Sequence, residues 1–124
     1  MTQEPNPNDK KYDLEERTAV FGENIIRLLR KVKQDAITVP IINQLTKCGT
    51  SVGANYCEAD DAESGQDFRH KVGICKKESR ECKHFLRMLA VSCPESKDET
   101  RRLWREAKEL NLIFNTIYRS IKKK

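Results

Sequence analysis

Four stretches of this chain carry apolar or small residues at alternating steps of four and three, and no other feature constrains the fold as strongly. The first runs Leu14, Thr18, Phe21, Ile25, Leu28, Val32, and the second Ile41, Leu45, Cys48, Val52, Asn55, Ala59. The third runs Phe68, Val72, Cys75, Ser79, Cys82, Leu86, Leu89, and the fourth Leu103, Ala107, Leu110, Phe114, Ile117, Ile121. Steps of four and three put each series on one face of an α-helix, so every stretch needs neighbours to cover its stripe. Four matched stripes with short connections predict an all-α, antiparallel up-down-up-down four-helix bundle.

Local signals mark where those helices begin. Asp13-x-x-Glu16 supplies an N-cap and a first-turn acid, Ser64-x-x-Asp67 is a looser version, and Ser96-x-x-Glu99 reads as a full capping box. Thr38 with Pro40 predicts the remaining start, because a Thr hydroxyl can accept from the orphan N–H groups of a first turn where proline's missing donor costs nothing. Residues 1–12 are rich in Pro, Asn and Asp without apolar periodicity and are expected to form a flexible tail. Residues 13–124 then make a single four-helix-bundle domain, long enough to bury a core without staples.

Composition narrows the function classes. With 37% apolar and 35% charged residues and only five Gly and four Pro, the chain does not read as a turn-rich β protein. It contains no run of about 18 uncharged apolar residues, and its first residues lack the apolar centre of a signal peptide, so a soluble cytoplasmic protein is expected. Five cysteines with no Cys-x-x-Cys pair suit free thiols in a reducing compartment better than disulfides or zinc.

A second line of apolar or small residues runs beside two of the seams. In the first helix it comprises Ala19, Gly22, Ile26 and Leu29, and in the second Ile42, Thr46, Gly49, Gly53 and Tyr56. A helical glycine costs about 1 kcal/mol and is explained where another backbone must come close. Leu112, outward on the fourth helix, adds apolar surface near Trp104, Ile113 and Tyr118. Together these predict self-association; the alternative is tight packing of the first two helices within one subunit. Asn55 at a seam position is expected to find a polar partner and to fix helix register.

The residues that could carry chemistry are poorly grouped. Asp67-x-x-His70 and Glu81-x-x-His84 resemble halves of a di-metal bundle site, yet the histidines are fourteen residues apart on one helix, about 21 Å, at outward positions. Neither a metal centre nor another cofactor is expected. Glu58, Asp60, Asp61 and Glu63 cluster at a helix C-terminus, where the dipole disfavours negative charge, and lack calcium-loop spacing. Cys57 sits among acids, which oppose a reactive thiolate, and no Gly-rich phosphate loop occurs. The chain does not read as an enzyme.

Its basic residues are better organised. Arg69, Lys76, Arg80, Lys83 and Arg87 repeat along one side of the third helix beside Lys77, and Arg101, Arg102, Arg105 and Lys108 continue the theme in the fourth. With a formal charge of +5, this stripe suits contact with phosphates rather than base reading. Glu78 and Glu81 interrupt it, and aromatic residues near it are few.

The segments "YDLEERTAVFGENIIRLLRKV", "KCGTSVGANYCEADDAES" and "DFRHKVGICKKESRECKHFLRML" resemble the four-helix-bundle proteins related to 23S rRNA intervening-sequence proteins, over residues 12 to 122. The resemblance implies a small up-down bundle that assembles as a homopentamer. More distant relatives are accessory proteins of diversity-generating retroelements, which bind a reverse transcriptase and nucleic acid; most members have no established activity. The expected function is therefore a non-enzymatic oligomeric module whose basic surface binds RNA, DNA or a nucleic-acid-processing protein. The alternative is a structural protein–protein interaction module with no nucleic acid ligand.

Overall fold

A computed structural model of the chain describes residues 13–121; the tail expected over residues 1–12 and the final three lysines lie outside the described residues. Four helices follow in order: α1 (Leu14–Arg30), α2 (Thr38–Asp60), α3 (Gly65–Ser92) and α4 (Lys97–Ser120), with a 3-10 turn at Pro94–Ser96 before α4. The described residues contain no strand.

Two of the predicted starts form as read. The Asp13 carboxylate accepts from the Glu16 N–H, and the Ser64 hydroxyl oxygen accepts from the Asp67 N–H. The other two use different chemistry. At α2 the cap is supplied by Asp35, whose carboxylate accepts from the N–H groups of Ile37 and Thr38 at 2.9 Å each. Thr38 instead points inward, is buried, and donates to the Lys33 carbonyl. At α4 the Ser96 side chain makes no capping bond, because the chain enters through the 3-10 turn. Glu99 pairs with Lys31, the residue just past the end of α1, instead of closing a capping box.

The seams become one core drawn from all four helices. All six residues of the first seam are buried, five of them in α1 and Val32 just beyond it, as are Leu45, Cys48, Val52 and Ala59 of α2. Val72, Cys75, Cys82, Leu86 and Leu89 of α3 meet Leu103, Ala107, Leu110 and Phe114 of α4. Burying such side chains stabilises by about 1.5–3 kcal/mol each for the larger ones. The seams loosen at Ile41, Phe68 and Ile117 near their ends and at Asn55 between the buried Val52 and Ala59, all four being half-buried. Polar seam residues satisfy themselves locally: Thr18 donates to the Leu14 carbonyl at 2.6 Å, and Ser79 to the Lys76 carbonyl.

Contacts run around the bundle from α1 to α2, α2 to α3, α3 to α4 and α4 back to α1. Across the first interface Thr18 faces Gly53 and Gly22 faces Gly49, so residue numbers rise in one helix as they fall in the other. The same inversion holds for Cys48 with Cys82 and Glu58 with Lys71, and for Arg69 with Tyr118 and Lys76 with Asn111. Arg17 holds Glu106 through two 2.8 Å bonds and Lys31 holds Glu99, linking α1 to α4.

Candidate functional site

The basic residues of α3 gather around an aromatic ring that belongs to α4. Gly73 makes this possible: a Cβ there would lie 3.0 Å from Tyr118 Cε1, so the missing side chain lets the ring rest on α3. Arg69 then stacks its guanidinium 3.8 Å from the ring centroid and donates to the Tyr118 hydroxyl and the Ile121 carbonyl. Lys76 Nζ stands 4.8 Å from the same centroid. Such cation–π contacts favour keeping the charges at the ring. Lys76, Lys77 and Arg80 line an adjoining recess of about 250 Å³ with Gly73 and Tyr118.

Further along the same α3–α4 groove the surroundings become more apolar. Arg87, Arg101 and Arg105 rim a recess of about 470 Å³ containing Trp104 and Val91. Lys108 Nζ lies 5.6 Å from the Trp104 ring. Lys83 is half-buried, whereas Arg80, Arg87, Arg101, Arg105 and Lys108 are exposed. Glu78 does interrupt the field, pairing with Lys77 at 3.6 Å.

Tyr118 and Trp104 thus give the basic face two aromatic side chains that its α3 pattern did not suggest. Another residue passed over is Asn111, whose Nδ2 donates to the Lys76 carbonyl and the Ser79 hydroxyl. It makes a cross-helix polar contact of the kind expected of Asn55. Asn55 itself, half-buried, donates to the Ser51 carbonyl of its own helix.

The second stripe divides by location. Gly22, Gly49 and Leu29 are buried, Gly53, Ile42 and Tyr56 are half-buried, and Ala19, Ile26 and Leu112 are exposed. The glycines line the α1–α2 contact within this chain: a Cβ on Gly22 would sit 3.3 Å from the Gly49 carbonyl oxygen, and one on Gly49 2.9 Å from Ile25 Cγ2. Tyr56 packs against Phe114 at 5.9 Å between ring centroids.

Elsewhere the titratable groups are dispersed. His70 and His84 are both exposed, and the described residues contain no group of three or more His, Cys, Asp or Glu arranged to hold a metal ion. Within the acidic cluster Glu58 pairs with Lys71 at 2.7 Å, which offsets part of the unfavourable helix-end charge and raises the Lys71 pKa. Asp60, Asp61 and Glu63 remain exposed.

All five cysteines are free thiols. Burial pushes Cys75 up to about 12. Cys82 is also raised, by its bond to the Cys48 sulfur 3.3 Å away and by burial. Cys57 is exposed, yet desolvation and then the neighbouring Glu15 raise its pKa as well, opposing thiolate formation.

No described helix is long and apolar enough to cross a membrane. A crystal structure of a protein of unknown function from the S23 ribosomal protein family of Bacteroides thetaiotaomicron VPI-5482 is similar, with a TM-score of 0.74 and 25% sequence identity. The likeness covers 84% of this chain and 96% of that one. No curated protein matches the chain. The family pattern described as 23S rRNA-intervening sequence protein matches residues 10–116, which include α1, α2, α3 and most of α4. By that match, and with the same helical fold in the Bacteroides protein, this chain belongs to the 23S rRNA-intervening sequence protein family.

Proposed function

We propose that this protein is a non-enzymatic, self-associating module that binds RNA or DNA through the basic α3–α4 face. In this reading residues 13–124 form one antiparallel up-down-up-down domain that works in the cytoplasm. The observation that carries it is the Tyr118 cluster, where Arg69 and Lys76 hold an aromatic ring beside the exposed cations Lys77 and Arg80. A groove in which cations gather around a ring that holds them in place suits a phosphate backbone, and binds with little sequence preference. Five copies, the number the family resemblance implies, would carry a formal charge of about +25 from the +5 of each chain.

Arg69 and Lys76 help hold Tyr118, so the test uses the more exposed pair. Fluorescence anisotropy with labelled single-stranded RNA and DNA oligonucleotides, between about 50 and 200 mM salt, should show binding that falls steeply with salt. Lys77→Glu with Arg80→Glu should weaken it at least several-fold and flatten the salt slope. Absence of binding at the lowest salt would remove the nucleic acid reading and leave a structural protein–protein module, and unchanged affinity in the double variant would remove this face.

A further inference from the structure

Two grooves of opposite charge lie on opposite sides of the bundle. Because contacts run α1, α2, α3, α4 and back to α1, the outer α1–α2 groove and the outer α3–α4 groove face away from each other. The α1–α2 groove, about 700 Å³, is rimmed by Asp13, Glu15, Glu16 and Glu23 over Ala19 and Ile26, and no Lys or Arg lines it. The Trp104 recess is rimmed by Arg87, Arg101 and Arg105 over Val91, and no Asp or Glu lines it. Each combines a charged rim with exposed apolar surface: Ile26 is 40% exposed and Val91 78%. That pattern of polar rim and apolar centre belongs to protein interfaces.

The two grooves also overlap in height. Arg17 pairs with Glu106 and Lys31 with Glu99, so the part of α1 holding Glu23 and Ile26 lies level with the part of α4 holding Arg101, Trp104 and Arg105. A neighbour related by rotation, with no shift along the bundle, can therefore bring the two together. Such a head-to-tail contact joins opposite faces, so it repeats from copy to copy and closes into a ring only where successive copies are tilted, whereas pairing either groove with itself would oppose like charges.

We propose that the Trp104 groove of one copy docks on the acidic α1–α2 groove of the next, with Arg101 and Arg105 facing Glu16 and Glu23. This inference rests on the self-association reading above and names the faces that carry it. It assigns Arg87, Arg101 and Arg105 to the neighbouring subunit and leaves the Tyr118 end of the basic face for nucleic acid.

Light-scattering mass in low salt tests it with three variants: Glu16→Arg with Glu23→Arg, Arg101→Glu with Arg105→Glu, and the chain carrying all four. The wild type should be a multimer, each two-site variant a monomer that circular dichroism shows to be folded, and the four-site chain a multimer again, because reversing both faces restores the attraction. A monomeric wild type would overturn self-association itself. A multimeric wild type whose two-site variants keep their mass, or a folded four-site chain that stays monomeric, would overturn the pairing of faces alone. A second readout uses Cys57, which lines the acidic groove. In the native wild type it should react at least several-fold more slowly with maleimide–polyethylene glycol than in the Arg101→Glu, Arg105→Glu chain, and equal rates would refute the proposed contact.

Discussion

The α1–α2 and α3–α4 interfaces solve the same packing problem in opposite ways. Between α1 and α2 the contact is made by absence: Gly22, Gly49 and Gly53 bring the backbones close enough that a Cβ at Gly22 would touch a carbonyl oxygen. Between α3 and α4 it is made by side chains that reach across, with Asn111 bonding the Lys76 carbonyl and Ser79, and Arg69 holding Tyr118. The first interface fixes a distance and the second fixes a register. The cation-rich surface sits on the second, where side chains project instead of being removed.

The sharpest way to break this comparison is to fill the α1–α2 gap. A Cβ at Gly49 would be 2.9 to 3.2 Å from three atoms of Ile25, a β-branched residue buried in the core with little freedom to move. Gly49→Leu should therefore cost about 3 kcal/mol or more, overwhelming the gain of about 1 kcal/mol from replacing a helical glycine. A urea midpoint equal to that of the wild type would mean that the helices separate without penalty, and the distance argument would fail.

At the other interface the expected loss is smaller. Asn111→Ala removes two bonds to α3 but leaves the Ser79 hydroxyl its own donation to the Lys76 carbonyl. A cost of about 1–2 kcal/mol is expected in the same urea experiment. The anisotropy of RNA binding sharpens the reading, because a shifted register should also disturb the cluster of cations around Tyr118. Unchanged stability would show that α3 and α4 hold their register without this residue.

These contrasts also explain what was legible in the sequence. The seams were readable because burial at steps of four and three is a property of single helices, and Phe21, Ile25, Leu45, Leu86 and Phe114 occupy the core accordingly. The glycines were visible, but one helix's pattern cannot say whether the approaching backbone belongs to the same chain. Tyr118 was hidden for a related reason: its place on the basic face depends on which α3 residue lies opposite it, and Gly73 carries no side chain to signal that. Lys71 likewise compensates Glu58 from a different helix. The Asp35 cap escapes a sequence reading because Thr38 is the better local candidate, while its hydroxyl proves more useful inside the turn.

That cap gives a weaker, pH-dependent prediction. Backbone N–H groups of Thr38 and then Ile37 hold the Asp35 carboxyl below its ordinary 3.8. A depressed pKa means that the charged form is favoured in the folded state, so the stabilisation is complete above 3.8 and is lost as pH falls through the lowered value. Asp35→Asn should remove that share of the acid dependence of the urea midpoint below about pH 4 while changing little at about pH 7, because Asn still accepts at a helix start. Identical acid profiles for the two proteins would show that Asp35 does not govern this window.

The smallest effect should have the opposite sign, and it isolates what the α1–α2 glycines do. Gly65 opens α3 with nothing within 4 Å of the place a Cβ would take, and none of the described glycines has a positive φ. Gly65→Ala restricts the unfolded chain without a clash in the folded one, so it should stabilise by about 0.4–1 kcal/mol. The same exchange at Gly49 should destabilise, since there the added carbon meets Ile25 at 2.9 Å. If both alanine variants shift the urea midpoint upward, the glycines of the close interface are not set by packing distance, and the contrast between the two interfaces loses its physical basis.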